Sequence, residues 1–173
     1  MSRPLHLLLP LLLIGCSLSE SGKDIATPLV QTEQTVYTAT PIPDSAQGIA
    51  DYSFSMQLRY ENRTGSTIYL RSCGNRPLYA VTTLESDTSQ SGYQKYWACG
   101  APAAIPLRPS EVRQDTFQIE GPTVRDGQTH EPIGVLEGSF RFLYSASRDE
   151  TADGSELPDR LSRSNVFEVR IAE

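Results

Sequence analysis

From Tyr52 onward, apolar and polar side chains alternate along the chain. In "YSFSMQLRY", Tyr52, Phe54, Met56, Leu58 and Tyr60 fall on one side, and Ser53, Ser55, Gln57 and Arg59 on the other. A period of two held over nine residues predicts a β-strand with one buried face. "ENRTG" follows as a turn, with Gly65 expected to supply the positive φ such turns often need, and "STIYLRS" returns as a second strand. "PLYAVTTLES" and "GYQKYWACG" predict a third and a fourth, separated by the polar "DTSQSG". A fifth runs through "EVRQDTFQIE", after the turn-like "RPSE". "GSFRFLYSAS" puts Phe140, Phe142 and Tyr144 on one face, and "NVFEVRIAE" does the same with Phe167, Val169 and Ile171. No stretch has a convincing helical period.

Seven short strands with turn residues between them, over about 120 residues, predict an all-β domain: an antiparallel β-sandwich of two sheets. The inward residues of the first, sixth and last strands are expected to supply most of the core. Each large apolar side chain buried there contributes roughly 1.5–3 kcal/mol.

The chain before Asp51 follows other patterns. Apolar residues run from Leu5 to Ile14, interrupted by His6 and Pro10, after a single Arg3. That is the shape of a secretory signal. Ten residues of helix cover roughly 15 Å, about half of a hydrocarbon core, and Pro10 would break the helix. A cleaved signal over residues 1–15 fits better than a membrane span. Residues 17 to about 50 are rich in Ser, Thr, Gln and Pro, with apolar side chains scattered. This composition predicts a disordered tether over 16–50, spanning roughly 30 Å as flexible chain, ahead of a domain at 51–173. Alternatively, "VQTEQTVYTAT" would form an added edge strand.

The apolar run ends in Leu13-Ile14-Gly15-Cys16, which resembles the lipobox of bacterial lipoproteins. The resemblance implies cleavage between Gly15 and Cys16, a diacylglyceryl thioether on the Cys16 sulfur, and often an acylated new amine. Only a thiol supplies a suitable sulfur nucleophile, and a small Gly15 lets a peptidase approach the backbone. Two or three acyl chains hold essentially permanently where one holds weakly. The expected partner is therefore a membrane, reached through the lipid anchor. With Ser17 rather than Asp after the cysteine, the resemblance favours the outer membrane, facing the periplasm, if the source is Gram-negative.

With Cys16 used, Cys73 in "RSCGN" and Cys99 in "WACGA" remain, an even pair in an exported chain, which predicts a disulfide. It would close a loop of roughly 26 residues and contribute about 3.5 kcal/mol in the chain-entropy model. A redox pair would show Cys-x-x-Cys, and a metal site would need more ligands than His130 offers, so no cofactor and no metal are expected. The net formal charge of −6, without a Lys/Arg cluster, argues against nucleic acid as a partner.

Four further segments, "Tyr60…Asn62-Arg63-Thr64-Gly65", "Leu107…Pro109-Ser110-Glu111", "Gly138-Ser139-Phe140-Arg141-Phe142" and "Ser164-Asn165-Val166-Phe167-Glu168-Val169", give most of residues 50–173 a resemblance to small bacterial immunoglobulin-like domains of exported lipoproteins. Some of these are grouped with proteinase-inhibitor-like domains. The resemblance implies an immunoglobulin-like sandwich that binds or scaffolds an envelope protein. An inhibitor module is the alternative. Antibody-type domains join their sheets by cysteines much further apart, so the Cys73–Cys99 bridge is expected to pin neighbouring strands or a loop.

Individual residues add little chemistry. Trp97, with Tyr93 and Lys95 on the same face, either packs on the bridge or forms an exposed aromatic patch. Asn62-Arg63-Thr64 matches a glycosylation sequon but reads more simply as turn chemistry. The acids Asp149, Glu150, Asp153, Glu156 and Asp159 lack the alternate spacing of a calcium loop, which leaves a solvated hairpin or a weak calcium site. No nucleophile elbow or phosphate loop accompanies His130, so neither catalysis nor a small-molecule substrate is expected. The long segments 120–135 and 147–163 are the expected binding loops, at one end of the sandwich.

Overall fold

The computed structural model describes residues 29–43, 51–74, 76–84, 91–93, 102–123, 126, 128, 133–151 and 157–172. Its spine is β3 (Tyr52–Glu61), where the alternation is strictest: Phe54, Met56, Leu58 and Tyr60 are buried and the residues between them reach solvent. Along all ten residues β3 pairs antiparallel with β8 (Val112–Gly121). Its other edge is shared by β1 (Val30–Thr32), beside Leu58–Tyr60, and by the tip of β2 (Val36–Pro41), beside Tyr52 and Ser53. These strands make the first sheet.

The second sheet is built on β9 (Gly138–Tyr144), flanked by β6 (Tyr79–Thr83) and β11 (Phe167–Ile171), both antiparallel to it. β2 completes it by running parallel to β11, so one strand begins in the second sheet and ends on the first. Among the described residues the paired strands are antiparallel except for these two, and the isolated bridges of Val30 with Ser164 and of Ser91 with Val135 are parallel as well. After Ser145, β10 (Ala146–Ser147) continues β9 and pairs with β4 (Ile68–Cys73), which pairs in turn with β7 (Pro102–Leu107). Leu70 opposes Ala146 while Tyr79 opposes Tyr144, so the chain between Arg71 and Leu78 leaves the sheet as a hairpin through β5 (Arg76–Pro77). Gly74, at φ 61°, makes its turn, and Leu78 N donates to Arg71 O at 2.8 Å as the strand resumes.

Aromatic rings fill the space between the sheets. Tyr60 of β3 meets Tyr144 of β9 at 4.4 Å between centroids, and Phe117 of β8 meets Tyr79 and Phe142 at 4.9 and 5.4 Å. Phe140 and Phe167 stack within the second sheet's inner face. Phe140, Phe142 and Tyr144 are fully buried, as the alternation requires. With β3 paired to β8, β9 between β6 and β11, and β2 alongside β11, the fold is an immunoglobulin-like β-sandwich. A single helical turn, α1 (Asp159–Ser162), interrupts the return to β11.

Four expectations change. The tether does not extend to residue 50: β1 and β2 lie inside it, and Leu29, Val30, Tyr37 and Ala39 are core residues. The segment read as a possible edge strand is two strands, because the chain crosses between sheets at residues 33–35 and the alternation changes phase there. β7 was not expected, since two prolines punctuate it. Pro106 is exposed opposite Tyr69, where a missing N–H is tolerated at a sheet margin. Finally, segments 120–135 and 147–163 join opposite ends of the continuous β9–β10 run, ten residues or roughly 30 Å apart, so they cannot share one end of the sandwich. The predicted fourth strand lies outside the described residues except for its start at Gly92 and Tyr93.

Candidate functional site

One end of the sandwich gathers the 61–67 turn, the corner at 108–111 that carries the chain from β7 to β8, and the chain entry at Leu29. Asn62 holds them together. It is fully buried, and its Nδ2 donates to Ser66 O and Leu107 O, both at 2.8 Å. Its Oδ1 accepts from Thr64 N at 2.9 Å and from Thr64 Oγ1 at 2.6 Å. Its backbone adds Asn62 N to Glu111 O at 3.0 Å and Ser110 N to Asn62 O at 2.7 Å. A buried amide with every group used fixes two connections at once. It also leaves the sequon nitrogen sealed inside the folded domain. Gly65 does not supply a positive φ, which corrects the turn expectation; Ser110 adopts it instead, at 64°, on the corner.

Beside this turn, Glu61 accepts from Arg59 Nη1 at 2.7 Å and Arg63 Nη2 at 3.0 Å. The hydrogen bonds from Arg63 and then Arg59 hold its carboxyl at about 2. On the inward side of β8, Arg113 grips Asp115 through two bonds of 2.6 and 2.7 Å. That pair flanks the Tyr60–Tyr144 contact, whose phenol oxygens are both buried with no hydrogen-bond partner among the described residues. Burial raises both phenols well above their usual range, so they stay neutral.

Where the β4–β7 ribbon peels away from β9, a crevice of about 120 Å³ opens, lined by Arg71, Ser72, Leu78, Ala104, Ser147 and Glu150 among others. Pockets that enclose a drug-sized ligand measure about 300–1,000 Å³, so this one suits waters or a very small polar group. Two of its hydroxyls are engaged locally: Ser72 Oγ donates to Gly74 O at 2.9 Å and Ser147 Oγ to Asp149 O at 2.6 Å. None of this was visible in the sequence, where Arg71 is simply part of the strand "STIYLRS".

Of the residues singled out from the sequence, Cys73 ends β4 and is disulfide-bonded. Gly15, Cys16, Lys95, Trp97, Cys99, His130, Asp153 and Glu156 lie outside the described residues. Tyr93 is fully buried: its ring meets Phe54 and Phe140 edge-on, and its hydroxyl donates to Leu136 O at 2.7 Å. It belongs to the core and not to an exposed aromatic patch. Asp149 and Glu150 are exposed, and among the described residues no three His, Cys, Asp or Glu side chains converge to hold a metal ion.

No family model and no curated protein matches the chain. Among solved structures, the structural-genomics target SoR45 is similar at 15% identity and a TM-score of 0.39, covering 82% of this chain and 86% of that one. The CARDB domain of the PF1109 protein from Pyrococcus furiosus, solved in complex with di-metal ions, is similar at 13% identity and a TM-score of 0.30, covering 83% and 85%. The CooA pilin subunit from enterotoxigenic Escherichia coli follows at 8% identity and 0.22, covering 84% and 100%. Likenesses this distant carry no argument about function, and the sandwich rests on its own strand pairing.

Proposed function

We propose that this chain is an exported protein held in a membrane by acyl chains on Cys16, and that its sandwich binds or scaffolds another envelope component without catalysing a reaction. The observation that carries the reading is the apolar run from Leu5 to Ile14 closing on Leu13-Ile14-Gly15-Cys16. Connections clamped as tightly as those on Asn62 make the frame rigid, which supports a binding role for loops elsewhere on it, since loops on a fixed scaffold present side chains at low entropic cost. The same clamping counts against an inhibitor module at this end: a loop that enters a protease cleft must be extended, whereas the 61–67 turn and the 108–111 corner are folded back on Asn62.

We also propose that Cys73 pairs with Cys99. Cys73 lies opposite Pro102, three residues after Cys99, so a bridge between adjoining segments is within reach. Mass mapping without reduction should find that link, and two free thiols in the exported protein would refute it.

The anchor is tested by metabolic labelling with a radioactive fatty acid. Label should enter the wild type and be absent from Cys16→Ala, and label retained by the variant would overturn the proposal.

A further inference from the structure

The first described residue is Leu29, whose carbonyl accepts from Glu61 N at 2.9 Å, while Val30 bridges Ser164. The chain thus enters the sandwich at the end that carries the 61–67 turn and the 108–111 corner. Twelve residues, 17–28, separate that entry from Cys16. Twelve residues reach at most about 40 Å, and only when fully extended. The ten residues of β3 alone rise about 33 Å, most of that maximum reach.

We propose that this end of the sandwich faces the lipid headgroup layer at close range, so that the opposite end points away from the membrane. The inference rests on the Cys16 anchor and deepens it by assigning which surface lies against lipid. Turning the domain over would put its whole length between the entry point and the bilayer, and the leash would have to be stretched almost straight. The far end, where β3 and β9 begin and β6 and β8 finish, is then the part a partner can reach. Leu84, Ile133 and Val135, next to those strand ends, are exposed at 42, 38 and 49%. A partner of any size would meet these and not the Asn62 turn.

The test uses the acylated full chain in phosphatidylcholine vesicles that carry an energy-transfer acceptor on the headgroup. A donor is attached through Gly65→Cys at the near end, where an added Cβ meets nothing within 4 Å, or through Gln128→Cys on the segment between β8 and β9. Transfer from position 65 should exceed transfer from 128 at least twofold. Equal transfer, or more from 128, would overturn the orientation while leaving the anchor intact, because the anchor is read separately by the Cys16 label. Inserting about 30 Gly and Ser residues after Gly22 should bring the two positions together. A difference that survives the longer leash would show that leash length does not set the orientation and would also overturn the inference.

Discussion

Replacing Asn62 by Asp keeps the shape of the side chain and removes its two N–H donors. Ser66 O and the buried Leu107 O would lose their partner, and a carboxylate would be sealed in their place. A loss of about 2–4 kcal/mol in urea unfolding is expected. Gly65→Ala in the same turn should change stability by less than about 0.5 kcal/mol, because φ there is not positive and the new methyl meets open space. The two buried tyrosine classes separate in the same way. Tyr93→Phe should cost about 1 kcal/mol for its bond to Leu136 O, whereas Tyr60→Phe removes a hydroxyl with no partner among the described residues and should be neutral or stabilising. Glu61 sets a pH dependence. Its folded value of about 2 lies below the ordinary 4.5, so its contribution is complete above pH 4.5 and is lost as the pH falls toward 2. Acid unfolding of the wild type should steepen in that window relative to Glu61→Gln. Matching profiles would show that the two arginines do not stabilise the fold through this carboxylate. Asn62 was legible as a turn residue but not as a buried clamp, since its partners at Leu107 and Glu111 lie more than forty positions away.

Strands that bury one face on aromatic rings were plain in the sequence. β3, β9 and β11 alternate without a break, and their inward residues include seven of the twelve largest fully buried side chains among the described residues. β1 and β2 were hidden for two physical reasons. Their inward positions include Thr32 and Ala39, small residues that pass for linker composition. The crossing at residues 33–35 also breaks the period, so no single alternation runs through both. What holds β1 is equally invisible in a local reading: Asn165 Oδ1 accepts from Thr32 N and its Nδ2 donates to Thr32 Oγ1, each at 2.8 Å across 133 positions. At the far end, Gly121 closes β8 against the 91–93 segment. A Cβ there would meet the Tyr93 ring at 2.6 Å and Gly92 O at 2.8 Å. Gly121→Ala should therefore cost about 1–3 kcal/mol, measured by chemical unfolding, and a neutral result would show that this contact yields easily.

At the scale of the molecule, recruiting residues 29–43 into the sandwich leaves at most twelve residues between Cys16 and the domain, against the thirty-odd its composition implied. A long leash leaves the domain free to turn, whereas a short one that enters beside Glu61 gives it a membrane side and an outer side. That asymmetry depends on residues 30–41 being strands: β1 pairs with β3 beside Glu61, and β2 pairs parallel with β11. Hydrogen–deuterium exchange on the full chain tests it directly. The amides of β2 between Val36 and Ala39 should exchange as slowly as those of β11 and β9, in the same cooperative unit. Exchange of residues 30–41 at the rate of an unstructured peptide, with β3 and β9 still protected, would contradict the account.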